Sequence, residues 1–288
     1  MHKAFVEVRD LLLNTPIGAQ TSATFAALCT CFEPALGAGG SGVATLIDYA
    51  HGHLAQWHQA IARPLPLSWI EAVDSDHAPS ELLRLANTLH LTPKLLPLEE
   101  LPKTLLALCK RTDLAHITQV VVADVVLNKA WVAGLSHAFF ATTLHRLELP
   151  YCEIGDSGLQ ALTRSPKLGG ALHTLDLRYN RIGRSFQDEL AQAEHLNGLR
   201  ILRLHGNHVD QIEALANATH LSTLEELDLR YNPIGPFGAE ALAQSPYLGG
   251  LKRLYLHTTD IGGPPGIRAL ASSPHLNHTI RRLWRARL

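Results

Sequence analysis

Between residues 117 and 283 the apolar positions return in one phrase, L-x-x-L-x-L-x-x-N-x-I-G. It is written most fully as Leu172, Leu175, Leu177, Asn180, Ile182 and Gly183, and again as Leu224, Leu227, Leu229, Asn232, Ile234 and Gly235. Leu199, Leu202, Leu204, Asn207 and Val209 carry it between them. Upstream stand Leu144, Leu147, Leu149, Cys152, Ile154 and Gly155; downstream stand Leu251, Leu254, Leu256, Thr259, Ile261 and Gly262. A degenerate first copy runs through Ile117, Val120, Val122, Val125 and Leu127, and a truncated last copy begins at Ile280 and Leu283. The starts at 117, 144, 172, 199, 224, 251 and 280 are spaced 27, 28, 27, 25, 27 and 29 residues apart, a band narrow enough to mark a stacked repeat.

Each part of the phrase has a physical reading. The L-x-L alternation predicts a short strand with one buried face. Parallel strands need a crossover, and stretches such as Gly238–Leu248 supply a helix for it. Ser165-Pro166, Ser245-Pro246 and Ser273-Pro274 should end these helices, because proline disfavours a helical residue before it. Asn180, Asn207 and Asn232 should point inward and hydrogen-bond the turning backbone, sparing buried groups that would otherwise cost about 1–3 kcal/mol each. Cys152 and Thr259 can fill that role weakly; Val125 cannot, so the first coil should be irregular.

The repeat length and the phrase LDLRYNPIGPFGAEALAQSPYLGGL (Leu227–Leu251) resemble the ribonuclease-inhibitor-like class of leucine-rich repeats, and in particular the large bacterial families of cytoplasmic proteins built from it. The resemblance covers residues 114–288. It implies an α/β fold, a right-handed solenoid or horseshoe with parallel strands on the concave face and helices on the convex face. For function it implies an interaction surface, since this fold hosts many partners.

Residues 1–113 read as an α-helical region. Phe5–Leu13 and Ala23–Phe32 are helix candidates, Gly37–Gly42 is a loop, and Val43–Ile61 is a longer helix closed by Arg63-Pro64-Leu65-Pro66. Ser80 is a candidate N-cap, and Leu95–Cys109 leads into the first strand. A solenoid exposes its core at each end, so the last third of this region, Ser80–Asp113, is expected to cap it.

Stacking the repeats turns the outward strand positions into columns. One holds Val121, Glu148, Asp176, Arg203, Asp228, Tyr255 and Trp284; the next holds Arg178, His205, Arg230 and His257; a third holds Tyr151, Tyr179 and Tyr231. Tyrosine and arginine dominate protein–protein hot spots, so Tyr151, Arg178, Tyr179, Arg203, His205, Arg230, Tyr231, Tyr255, His257 and Trp284 are the candidate partner-binding residues. The opposing reading is that the Arg and Asp columns simply pair and keep the face soluble. His205 and His257 can gain charge near pH 6 and make binding pH-dependent.

The remaining composition narrows the classes. The chain has 288 residues, 46% hydrophobic and 18% charged, with a net charge of −1, which argues against a dedicated nucleic-acid binder. Four cysteines are too few for a disulfide scaffold, and the first residues include Glu7, Arg9 and Asp10 where a signal peptide is apolar, so a cytoplasmic protein without a transmembrane segment is expected. GAGGSGVAT lacks the Gly-Lys-Ser/Thr ending of a phosphate-binding loop. Cys29, Cys31, His51, His53 and His58 lack the paired spacing of a zinc site. No nucleophile elbow or other catalytic motif appears, so neither enzyme activity nor a cofactor or metal is expected. The leading expectation is a protein-interaction scaffold. Alternatives are a regulator of a bound GTPase, with Arg181 and Arg184 as candidate rim residues, and a binder of nucleic acid or anionic lipid through Arg281, Arg282, Arg285 and Arg287.

Overall fold

The computed structural model describes residues 2–36, 42–59, 61–75, 79–94, 96–183, 186–258 and 260–288. Residues 37–41 of the glycine-rich loop, Leu95, Arg184 and Thr259 lie outside these. The chain divides into two compact units, Met1–His90 with Arg111–Val120, and Leu91–Lys110 with Val121–Leu288.

The first unit is largely helical: α1 (His2–Asn14), α2 (Ser22–Leu36), α3 (Gly42–Leu54) and α4 (Leu67–Asp74). Its core holds Phe25 and Phe32 edge-on to the buried Trp69, with ring centroids 6.3 and 5.9 Å away. Two expectations change here. The helix expected to reach Ile61 stops at Leu54, and α4, absent from the sequence reading, follows Pro66. Ser80 opens a 3-10 turn whose N-cap is Pro79, so it does not cap an α-helix.

Seven parallel strands form one sheet in chain order: β1 (Thr88–Leu91), β2 (Gln119–Val122), β3 (Arg146–Glu148), β4 (Thr174–Asp176), β5 (Ile201–Arg203), β6 (Glu226–Asp228) and β7 (Arg253–Tyr255). Between them run α5 (Leu101–Cys109), α6 (Lys129–His137), α7 (Gly155–Thr163), α8 (Phe186–Ala191), α9 (Glu213–Ala216) and α10 (Gly235–Gln244); α11 (Pro264–Ser272) and α12 (His278–Arg285) follow. The expected α/β solenoid is therefore present. Its sheet begins one strand earlier than the first repeat copy, because Leu89 and Leu91 supply the alternation without the rest of the phrase. The single turn of α9 falls in the repeat of 25 residues, where fewer residues remain for the crossover.

The second leucines stand abreast, Leu147, Leu175, Leu202, Leu227 and Leu254, and all are buried. Each fully buried leucine contributes about 1.5–3 kcal/mol. The asparagine ladder forms as the phrase requires. Asn180 Oδ1 accepts from the Cys152 amide at 3.0 Å, and Asn207 Oδ1 accepts from the Asn180 and Ile182 amides at 2.9 and 3.1 Å. Asn232 Oδ1 accepts from the Val209 amide at 3.0 Å. Cys152 substitutes weakly: its thiol donates to the Val122 carbonyl at 3.2 Å.

A second ladder lies on the helix side. Where Ser-Pro ends a helix, the serine is buried and its hydroxyl donates to a carbonyl of the coil before: Ser165 to Ser136, Ser245 to Ala216 and Ser273 to Ala243. Carbonyls at helix C-termini have no intrahelical partner, and the serine column supplies one.

The last repeat copy does not form a strand. Residues 278–285 form α12, with Ile280 and Trp284 buried at i, i+4 spacing and Asn277 as N-cap, accepting from the Ile280 amide at 3.0 Å. Trp284 is therefore core, 1% exposed, and not a binding residue of the sheet face. The i, i+3 pair of Ile280 and Leu283 mimicked the repeat phrase, while the helical pair seals the end of the leucine core.

Candidate functional site

The candidate site is the sheet face opposite the helices, over β3–β7. Register places Glu148, Asp176, Arg203, Asp228 and Tyr255 abreast, as alternation requires. The burial of that column departs from expectation. Asp176 and Asp228 are 0% and 3% exposed, because Arg178 and Arg230 fold back over them. Arg178 Nε lies 2.8 Å from Asp176 Oδ1, and Arg230 Nη2 lies 2.6 Å from Asp228 Oδ2. These hydrogen bonds raise both guanidinium pKa values. Arg203 Nε donates to Glu226 at 2.9 Å, and Arg253 Nε donates to the same carboxylate at 2.7 Å. Glu226 belongs to a column one step upstream, Arg146, Thr174, Ile201, Glu226 and Arg253, which the same alternation places on the open face.

Beside this ionic floor runs a ladder of rings. Tyr151 stacks on Tyr179 with centroids 4.3 Å apart and planes 11° from parallel. Tyr179 to His205, His205 to Tyr231 and Tyr231 to His257 follow at 4.9, 4.7 and 4.4 Å. The sequence placed the tyrosines and histidines in adjacent columns; the structure interleaves them into one. Gly206 is the reason, since a Cβ there would lie 2.4 Å from the Tyr179 ring. Tyr179 thus leans across the coil of β5, and its hydroxyl meets His205 Nε2 at 2.6 Å. Tyr255 flanks the ladder under Arg230, whose guanidinium carbon is 5.1 Å from the ring centroid.

The tyrosines also occupy costly backbone. Tyr151, Tyr179 and Tyr231 have φ of 57°, 54° and 56°, the left-handed region that Gly206 fills at φ 69° in the same turn. A non-glycine residue there costs roughly 1–2 kcal/mol. Asp124 takes the same region at φ 58°, so the turn of each coil imposes it at this position.

The geometry also places the arginines of the two alternatives. Arg181 pairs with Glu153 at 2.8 Å and is exposed. Of the terminal arginines, Arg281 and Arg285 donate to the Ser273 and Ala271 carbonyls, and Arg287 covers the Trp284 ring at 4.7 Å. In the first unit, Cys29 is buried and its thiol is pushed up to about 12 by desolvation, which keeps it protonated. No group of three or more metal-ligating side chains occurs among the described residues. No helix among them is long and apolar enough to cross a membrane.

The histidines give a pH prediction. Burial lowers the pKa of His51, His116, His173, His195, His205 and His220 below the ordinary 6.5. The unfolded chain then binds more protons than the folded one as pH falls through 6.5, so stability declines on that side and levels off above it. The expected result is a Tm lower at pH 5.5 than at pH 7.5, by about 2–4 °C for each kcal/mol lost. A higher Tm at pH 5.5 would contradict the sign.

Comparison with known proteins agrees with this geometry. The profile of the Leucine Rich repeat family matches residues 140–162 and 220–243, each starting before a strand and ending in the following helix. These coils are leucine-rich repeats. A curated relative, the Tonsoku-like protein of Bos taurus, is 41% identical over 92 residues, a stretch that is 30% of this chain and 7% of the relative. Solved structures to which this chain is similar include an internalin from Listeria monocytogenes, 18% identical over 58% of this chain and 54% of that one, at a TM-score of 0.34. The TLR13–ssRNA13 complex is 19% identical over 63% of this chain and 24% of that one, at a TM-score of 0.39. Neither likeness bears on what this chain binds.

Proposed function

We propose that the protein is a non-catalytic scaffold that holds a protein partner on the open sheet face of residues 114–288, acting in the cytoplasm. The single observation that carries this reading is the ring ladder from Tyr151 to His257. Solubility does not need stacked aromatics, whereas large rigid rings beside arginines are what protein interfaces use. The arginines are already paired with buried carboxylates, so the partner is one with a mixed-charge or amide-rich surface that covers the rings. The 27–29-residue coils with helical crossovers favour the ribonuclease-inhibitor-like class, and the free cysteines accord with a reducing compartment.

The test is affinity capture from the host cells, identification of the bound protein, and titration of the purified pair. Tyr151→Ala with Tyr231→Ala, both at exposed rings, should weaken binding about 30-fold, equivalent to roughly 2 kcal/mol. Unchanged affinity in a variant with a normal Tm would remove the ladder from the interface.

A further inference from the structure

We propose a second binding site, at the β7 edge: the groove between β7 and α12 receives an extended acidic segment of a partner protein, which adds to the sheet as an eighth strand. The groove has a volume of about 520 Å³. Leu254, Ile280 and Leu283 give it an apolar floor, and Lys252, Arg253 and Arg282 give it a basic rim.

Three observations define the occupant. First, β7 is the last strand of the sheet. Its Arg253 amide and Tyr255 carbonyl bond toward β6, so alternation turns the amide and carbonyl of Leu254 to the outer edge, where no described residue bonds them. Parallel strands are ordinarily covered on both sides, and an open edge is a template for an added strand. α12 seals the core through Ile280 and Trp284 yet leaves this edge free.

Second, the pleat dictates the sequence of an added strand. Residues beside Leu254 would face Ile280 and Leu283 and must be apolar; their neighbours would stand beside Arg253 and Tyr255 on the open face. Third, the charge is one-sided. The chain after Asp260 contains five arginines and no acidic residue, and no acid lines the groove. Lys252 and Arg253 are shared with Glu225 and Glu226, at 2.7 Å each. Arg281, Arg285 and Arg287 are committed to carbonyls and to Trp284. Arg282 is exposed, lines the groove, and has no ion-pair or hydrogen-bond partner for its guanidinium among the described residues. An alternating acidic–apolar segment matches all three observations, and the site is separate from the ring ladder.

The experiment is a fluorescence-anisotropy titration of the full chain with a labelled peptide alternating glutamate and valine. Controls are a lysine–valine peptide and a glutamate–valine peptide N-methylated at alternate amides. Saturable binding of the first is expected. Arg282→Glu and Leu283→Glu, both at exposed positions, should each weaken it about tenfold. N-methylation should do the same, because it removes the backbone donors of the added strand while keeping the charges. Tyr231→Ala should bind the peptide as the wild type does, which separates this site from the open sheet face. Absence of saturable binding, equal binding of the N-methylated or lysine peptide, or equal binding by Arg282→Glu would overturn the proposal. So would displacement of the peptide by single-stranded RNA or phosphatidylserine vesicles, which would reassign the groove to an anionic polymer or membrane. A dimer seen by light scattering and lost in Arg282→Glu would reassign it to a second copy of this chain.

Discussion

Asn207→Ala is expected to lower stability by about 4 kcal/mol, the largest loss from any single polar substitution in the repeats. The side chain is 3% exposed and ties its own coil to the one before it. Its Oδ1 accepts from the Asn180 and Ile182 amides, and its Nδ2 donates to the Leu177 and Leu204 carbonyls at 2.9 and 2.7 Å. Alanine leaves the Asn180 and Ile182 amides and the Leu177 carbonyl unpaired where the neighbours are leucines, while the Leu204 carbonyl keeps the Asn232 side-chain amide. Each lost partner costs roughly 1–3 kcal/mol, and partial relaxation keeps the total below the full sum. Coils of a solenoid are stabilised by their neighbours, so a break in the middle weakens both sides of the stack. Asn197→Ala, at an exposed position, should change stability by less than about 0.5 kcal/mol. Urea denaturation followed by circular dichroism measures both, and a loss under about 1 kcal/mol at Asn207 would mean the ladder does not hold the coils together.

What could be read from the sequence was what repeats locally. Leu175, Leu202 and Leu227 had to stand abreast once the phrase had a fixed period, and Asn180, Asn207 and Asn232 had to face inward because the turn has amides to satisfy. The ends escaped. At the front, Leu89 and Leu91 alternate without an asparagine behind them, so β1 was invisible to a search for the whole phrase. At the back, Ile280, Leu283 and Trp284 satisfy both a strand phrase and an amphipathic helix, and only the N-cap Asn277 with the i, i+4 pair decides between them. The site was legible as a set of columns and not as an arrangement. Alternation says that Asp176 and Arg178 lie on the open face, but it cannot say that the longer side chain folds over the shorter and buries it. Nor could it show that a glycine at 206 lets Tyr179 lean toward His205, turning two columns into one ladder. The buried serines before proline carried a signal in plain view: their recurrence at the same phase, which a helix terminator alone does not require.

The arginines and tyrosines of the open face should separate cleanly under mutation. Arg230→Ala is expected to lower stability by about 2–3 kcal/mol. The Asp228 carboxylate is 3% exposed and takes two hydrogen bonds from Arg230, Nε at 2.9 Å and Nη2 at 2.6 Å. Removing the guanidinium strands a charge beneath the surface. Such losses run to about 3–5 kcal/mol for fully buried pairs, and the 38% exposure of the Arg230 side chain allows water to recover part of it. Asp228→Asn in the same chain should restore much of the loss, because a neutral amide needs no counter-charge. Tyr231→Ala, by contrast, removes an exposed ring from strained backbone and should leave the Tm nearly unchanged while weakening partner binding. Thermal melts and partner titrations on the three variants distinguish the roles. Equal stability of wild type and Arg230→Ala would show that Asp228 does not depend on this arginine, and the paired floor would then be free to meet a partner directly. A drop in capture by Arg230→Ala is therefore no measure of contact unless the melt is normal, whereas a drop by Tyr231→Ala reports on the ring ladder itself.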